Sequence, residues 1–587
     1  MYIEKINNPQ DLKKLNIDEC TELASEIRKY LTEKASEKGG HLASNLGLVE
    51  ATIALHYVFD SPEDKIIFDV SHQCYTHKIL TGRQAAFTDK AQYNTVNGYT
   101  NPQESLHDHF RVGHTSTSVS LACGMAKARD LCGGNENIIA IIGDGSLSGG
   151  EAFEGLDFGA SEINGNLIVV VNDNQMSIAE NHGGIYKNLA QLRESDGKSE
   201  NNIFKAMGYD YYFVKNGNRV NDLVSMFKKI RNADHPVVVH ICTVKGKGYG
   251  YAEQHKEGTH WVRPFDIETG EELNQFNGER YDRVVRDHLI EKMAQDEKIV
   301  TMIAAVPDAL SFSAEYRKKA GKQFVDVGIA EEHAVSMAAG LAKNGCKPVF
   351  ATMSTFFQRT YDQISQELCI NKMPATLLVV NASVYAANDM THIGIFDIPM
   401  ISNIPNMVYL APTNKQEYLA MLDWSIEQQD YPVAIRAPRN GVFYAKTQVD
   451  TDYGILNKYK MVVQGEKVAI IALGDFYQMG EELSDKIEAT FGFVPSLINP
   501  RYITGIDTEM LEELKVDHDI IITLEDGVLD GGFGQKIASY YGPSSQRVLN
   551  YGLKKNFIDR YNVADVMKEN HLDADLIVQD LLKILDA

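Results

Sequence analysis

The chain of 587 residues reads as an α/β protein of three domains, each built on a parallel sheet flanked by helices. Two observations carry this. The apolar run Ile138 to Ile142 enters the turn Gly143-Asp144-Gly145-Ser146, a helix-like span follows, and a second run, Leu167 to Val171, ends in Asn172-Asp173-Asn174-Gln175-Met176. Strand, tight turn, helix, strand is the repeating unit of a parallel sheet. Comparable runs recur at 299–304, 324–327, 468–473 and 519–524, spaced by helix-like segments and glycine turns. The expected domains are residues 1–270, 278–445 and 450–587, with the polar, acidic stretch 266–276 as the first linker.

Composition narrows the function classes. A hydrophobic content of 44% is ample for several cores. Net charge is −23, with a pI near 5.2, which argues against a nucleic-acid or membrane-surface role. The first fourteen residues are polar, and no run approaches the roughly 18 apolar residues of a membrane span. Seven cysteines are scattered without a Cys-x-x-Cys pair. That argues for reduced thiols, no zinc site and a cytoplasmic location.

Both strands of the 138–176 unit end at one sheet edge, so Asp144 and Asn174 converge there. Their side-chain oxygens, the Met176 carbonyl, diphosphate oxygens and water suit an octahedral Mg²⁺. A lone Gly-Asp-Gly is equally a turn with a chance acid. The helix, the second strand and Asn-Asp-Asn thirty positions on favour the functional reading. A Rossmann fingerprint is excluded, because Ser148 stands where the third glycine belongs, and no complete Gly-x-x-x-x-Gly-Lys-Ser/Thr phosphate loop occurs. The stretch resembles the thiamine diphosphate motif of transketolase-type enzymes. That resemblance implies thiamine diphosphate and Mg²⁺ as cofactors, with Gly145, Ser146 and Asn174 lining them.

Upstream, histidines follow glycine- or hydroxyl-bearing turns: His41 in Gly39-Gly40-His41-Leu42-Ala43-Ser44-Asn45-Leu46-Gly47, His72 and His77 beyond the expected strand 66–70, and His114 in Gly113-His114-Thr115-Ser116-Thr117-Ser118. Free backbone N–H groups and hydroxyls ahead of a helix suit a diphosphate. These blocks, with His77-Lys78-Ile79-Leu80-Thr81-Gly82-Arg83, resemble the 1-deoxy-D-xylulose-5-phosphate synthase family, and the likeness runs from Ile6 nearly to the end. It implies a homodimer that condenses pyruvate with glyceraldehyde 3-phosphate, with loss of CO₂. His41 and His72 would meet the thiamine ring and diphosphate, and Gly113, His114 and Thr115 would line the cofactor. Lys245 would be a diphosphate counter-ion, Tyr249 a cofactor wall and His260 an active-site histidine.

In the second domain, the expected strand 324–327 leads to Gly328-Ile329-Ala330-Glu331-Glu332-His333. An acid in the first turn of a helix is common, because it complements the dipole. The resemblance gives Glu331 a larger part, as the carboxyl on the aminopyrimidine N1′ that activates thiamine. It also implies that Phe356 stacks on the pyrimidine with Arg359 beside it. Asp389, His392, His41 and His260 become candidates for substrate contacts and proton transfer, and Arg436 for the acceptor phosphate. Of Phe356 and Phe357, one is expected in the core.

The chain departs from the family in places. Segment 181–202 is polar and short, and Lys215-Asn216-Gly217-Asn218-Arg219 replaces a histidine-bearing motif. Met353 and Ala382 replace a tyrosine and an arginine of the family's phosphate pocket. Losing one charged hydrogen bond to a buried phosphate costs about 1.5–3 kcal/mol. An alternative is therefore the same 2-oxo acid donor chemistry with another aldehyde acceptor. The third domain resembles the transketolase carboxy-terminal domain, a scaffold and dimer element, and its turn 531–534 is expected to start a helix without chemistry.

Overall fold

The computed structural model describes residues 1–274, 276–387 and 389–585; position 275 of the expected linker and the last two residues of the third expected domain lie outside that set. The chain forms two compact units, Met1–Asn277 with Gly328–Ala330, and Gly278–Val327 with Glu331–Ala587.

The first unit is built on a five-stranded parallel sheet ordered Lys65–Phe68, Ile138–Gly143, Leu167–Asp173, Val237–Cys242, Asp210–Val214. Its central strands are apolar throughout because helices cover both faces. Alternation assigns the faces: Ile139, Ile141, Ile168 and Val170 enter one core, while Ile138, Ala140, Ile142 and Val169 enter the other. Helices Ile17–Lys38, Val49–Val58 and Val220–Ile230 pack on the first face, and Ser118–Cys132 and Gly150–Glu162 on the second. The register runs from Ile138↔Leu167 to Gly143↔Asn172. Asp144 and Asp173-Asn174 therefore leave the sheet side by side at its carboxyl edge. A two-residue antiparallel ribbon, Gly40↔Val262 and His41↔Trp261, ties the amino-terminal block to the segment after the sheet.

Segment 181–202, expected as a polar connection, contains the helix Gly184–Glu194, which buries Leu189 and Leu192. Two leucines three positions apart suffice for a short amphipathic stripe. In the expected linker, a turn is closed by Gly270 N–H donating to the Asp266 carbonyl at 2.8 Å and Asp266 N–H to that of Glu271 at 2.9 Å.

The second unit holds two sheets. One has six parallel strands ordered Val408–Leu410, Val433–Arg436, Thr376–Val380, Lys347–Met353, Ile299–Ile303, Phe324–Asp326. The other has five, ordered Lys460–Val463, Ser496–Asn499, Lys467–Ala472, His518–Val528, Arg547–Leu553, with only the first antiparallel. A single apolar cluster joins Met302, Leu377 and Tyr409 of the first sheet to Ile471, Ile498 and Ile521 of the second. The expected domains 278–445 and 450–587 are thus one compact unit with a shared core. Among the described residues no helix is long and apolar enough to cross a membrane, and all seven cysteines are free.

A shared core should melt as one. Ile521→Ala removes a fully buried side chain and should cost about 2–5 kcal/mol. It should weaken hydrogen-exchange protection at Thr376–Val380 together with its own sheet. Loss confined to the carboxy-terminal sheet would show two independent cores.

Candidate active site

The first unit concentrates charge at its sheet edge. Asp144, 1% exposed, accepts a 2.8 Å hydrogen bond at Oδ2 from Asn181 Nδ2. Burial, and then the neighbouring Asp173, raises its carboxyl above the ordinary range. Asp173 is held low, against the opposing effect of burial, by His240 at 2.9 Å and by Arg193. Asn174 Oδ1 accepts from Met176 N–H at 3.2 Å. That closes a turn in which Gln175 takes φ +67° and Met176 bridges to Glu180. Lys245, 2% exposed, donates to the Ser177 carbonyl, and burial lowers its ammonium to about 8. A Cβ on Gly145 would lie 2.7 Å from that of Ser177, so only glycine lets the two turns approach.

These features fit a hard divalent cation. The donors are carboxylate, amide and carbonyl oxygens, and the Asn181 Oδ1 atom beside them is buried without a hydrogen-bond partner. A second grouping, Asp173, His240 and Cys242, brings ligand atoms within 4.8 Å of one another. Its aspartate is occupied by Arg193 and His240, and burial pushes the Cys242 thiol up to about 12. It is a buried ion-pair network.

The histidines gather beside this edge because backbone bonds bring their loops together. Ala43 N–H donates to the Thr259 carbonyl at 3.0 Å and Leu42 N–H to that of His260 at 3.3 Å. The His41 ring lies 4.9 Å from His72 and 5.5 Å from His260, and His72 lies 5.1 Å from His260. His260 is half-buried; loss of hydration, and then the neighbouring Lys245, His72 and His41, lowers its pKa and keeps the imidazole neutral, and its Nδ1 has no hydrogen-bond partner.

Two residues that the sequence reading passed over organise the cluster. Asn45 donates at 2.8 Å to both the His41 and His72 carbonyls and accepts from Tyr75 N–H at 3.0 Å. Asp69, at the end of strand Lys65–Phe68, accepts from Ser116 N–H at 2.9 Å and Ser118 N–H at 3.0 Å. It thereby fixes the turn carrying Gly113, His114 and Thr115. Ser116 in turn donates to the Ser146 carbonyl at 2.9 Å. Tyr249 is engaged elsewhere: its hydroxyl donates to the Ile267 carbonyl at 2.8 Å and its ring packs near Tyr251 and Phe265.

In the second unit Glu331 opens the helix Glu331–Lys343. It is 4% exposed, and its Oε2 has no hydrogen-bond partner, since the Arg359 guanidinium stands 3.9 Å away. Burial, opposed by Arg359, raises the carboxyl to about 7. Phe357 is wholly buried, whereas Phe356 is half-buried, 5.7 Å edge-on from His392. Asp389, Thr391 and His392 form one turn: Thr391 N–H donates to Asp389 Oδ1 at 2.8 Å, and His392 Nδ1 lies 3.3 Å from the same oxygen.

Arg436, expected on a substrate phosphate, is placed otherwise. It is 4% exposed, with Nε on Asp397 at 2.7 Å and the remaining nitrogens on Asp526 and Asp397. Sequence could not reveal those two acids. The exposed arginine is Arg439, whose backbone N–H is held by Asp475 at 2.8 Å. Ala382 is fully buried in the apolar cluster.

A carboxyl that keeps its proton near neutrality is what an aminopyrimidine nitrogen needs as a partner, and hard oxygens at a sheet edge are what a diphosphate-bound cation needs. With the α/β sheets, these features define a thiamine-diphosphate-dependent transferase of the transketolase class. The family model described as "1-deoxy-D-xylulose-5-phosphate synthase" matches residues 3–200. Those for the transketolase pyrimidine-binding and C-terminal domains match 280–443 and 457–577. Proteins named 1-deoxy-D-xylulose-5-phosphate synthase from Caldanaerobacter subterraneus subsp. tengcongensis and Alkaliphilus oremlandii are 38% and 39% identical to the chain, covering 99% of it and 99% of themselves. The chain belongs to the 1-deoxy-D-xylulose-5-phosphate synthase family. Among solved structures, a transketolase from Campylobacter jejuni is 16% identical, covers 97% of this chain and 100% of its own, and superposes with a TM-score of 0.45, too low to bear on the fold.

The Glu331 carboxyl supplies a pH test. Its folded pKa, about 7, lies above the reference 4.5. Between those values the folded state binds more protons than the unfolded one, so stability falls as pH rises and the penalty is complete above pH 7. Glu331→Gln removes it. The variant's unfolding free energy, measured without cofactor, should gain about 1–3 kcal/mol more over wild type at pH 8 than at pH 4. An equal difference at both pH values would contradict a buried, proton-holding carboxyl.

Proposed function

We propose that the chain condenses pyruvate with glyceraldehyde 3-phosphate, releasing CO₂, to form 1-deoxy-D-xylulose 5-phosphate, a precursor of isoprenoids and thiamine. The observation that carries this reading is Glu331, a buried carboxyl at the head of a helix with one oxygen lacking a hydrogen-bond partner. When bound, thiamine diphosphate supplies a nucleophilic carbon and an acceptor for the electron pair left as CO₂ departs. Glu331 would hold a proton against the pyrimidine N1′, and Phe356 would offer an aromatic face to the same ring. Asp144, Asn174 and the Met176 carbonyl would hold Mg²⁺. Gly145, Ser146 and the turn Gly113-His114-Thr115 receive the diphosphate, whose charge Lys245 offsets.

His41 and His260 present imidazoles to the pyruvate carboxylate, and His72 lies at the cofactor. The neutral His260 accepts or returns a proton at a substrate oxygen. His392, braced by Asp389 and Thr391, moves a proton at the acceptor aldehyde oxygen. Arg436 has its donors engaged by Asp397 and Asp526, and for the acceptor phosphate we propose the exposed Arg439 three residues on. We further propose a homodimer working in a reducing cytoplasm, as seven free thiols allow.

The test is CO₂ release from pyruvate across phosphorylated and unphosphorylated aldehydes. Turnover should be best with glyceraldehyde 3-phosphate, and preference for an unphosphorylated acceptor would overturn the reading. Arg439→Ala should raise KM for the phosphorylated acceptor about tenfold or more while sparing unphosphorylated ones. Arg436→Ala should instead destabilise the fold by about 3–5 kcal/mol, because it strands two buried aspartates. The reverse pattern would return the phosphate role to Arg436.

A further inference from the structure

Asn181 stands outside the three ligands expected for the cation, yet it is the residue that touches Asp144. Its Nδ2 donates to Asp144 Oδ2 at 2.8 Å. Its Oδ1 is buried and has no hydrogen-bond partner. A Cβ placed on Gly145 would lie 3.7 Å from that oxygen, so it looks onto the turn that carries Asp144. The loop delivering Asn181 is fastened on several sides. Met176 bridges to Glu180, Lys245 donates to the Ser177 carbonyl, and the Tyr186 hydroxyl donates to the Gly145 carbonyl at 3.1 Å. Beyond it, Arg193 pairs with Asp173. The amide is held over Asp144 by the fold.

A buried carbonyl oxygen without a donor costs free energy unless some donor meets it. Here the neighbouring chemistry supplies one. Mg²⁺ dehydrates reluctantly and keeps part of its water shell when protein carboxylates and phosphates bind it, and a cation-bound water is a strong donor.

Resting on the thiamine diphosphate reading, we propose that Asn181 is a positioning residue of the divalent-cation site: its amide N–H fixes Asp144 through Oδ2, and its amide oxygen accepts a hydrogen bond from a water of the cation's shell. The other Asp144 oxygen would then be the one to hold the cation. Residues of this outer kind govern affinity by about 10–100-fold.

The experiment titrates Mn²⁺, a spectroscopic substitute for Mg²⁺, into the full chain with thiamine diphosphate present, reading bound Mn²⁺ by electron paramagnetic resonance. Thermal unfolding in chelator is measured in parallel. Asn181→Ala, and Asn181→Leu as a near-isosteric variant that keeps the packing volume, should weaken Mn²⁺ about 10–100-fold with little change in the chelator midpoint. Mn²⁺ affinity within twofold of wild type in whichever variant folds would overturn the proposal. Asp144→Ala separates the two levels. If it binds Mn²⁺ normally, the cation reading itself fails; if it loses Mn²⁺ while both Asn181 variants bind normally, only the role of Asn181 fails.

Discussion

The parallel pairing of Ile138–Gly143 with Leu167–Asp173 is the constraint on which the first unit depends. Its register, closing at Gly143↔Asn172, delivers Asp144, Asp173 and Asn174 to one edge. Two acids are thereby buried next to each other. The fold answers Asp173 with Arg193 and His240, while the side chain that hydrogen-bonds Asp144 is the neutral amide of Asn181 and Lys245 acts on it through charge alone. A buried carboxylate paired with an amide invites a cation. The neighbouring turns, closed by Asn45 and Asp69, bring the imidazoles of His41, His72 and His260 into one cluster.

The second unit handles its carboxyl differently. Glu331 stays at the head of a helix, where the dipole favours charge, yet burial outweighs that and lifts its pKa to about 7. Arg359, at 3.9 Å, is close enough to limit the shift and too far to hydrogen-bond. The group can therefore hold or release a proton at neutral pH, as a general acid requires. Deeper in the same unit, Asp397 and Asp526 pair with the buried Arg436, whereas among the described residues Glu331 has no cation within hydrogen-bonding distance.

Much of this was legible in the sequence. The continuous apolar runs, the glycine turn at Gly143 and the acid after it announce a parallel sheet with a ligand-bearing edge. Family likeness led to His41, His72, His260 and Glu331. What remained hidden depends on contacts between distant segments. Asn45 and Asp69 act through backbone N–H and carbonyl groups that no motif records, and Asn181 lies in a stretch whose polarity suggested only a connection. The roles of Arg436 and Arg439 cannot be separated without seeing Asp397 and Asp526. Likewise, the shared core of the second unit has no signature in the linker near 450, because both flanking sheets are separately well patterned.

The central claim is that Glu331 acts as the proton donor that activates the cofactor. It is tested most directly by the rate of hydrogen–deuterium exchange at the thiazolium C2 of bound thiamine diphosphate, followed by NMR in wild type and Glu331→Gln. The account predicts a slowing on the order of 10²–10⁴-fold in the variant, with Mn²⁺ binding at Asp144 retained. Exchange at the wild-type rate would contradict it.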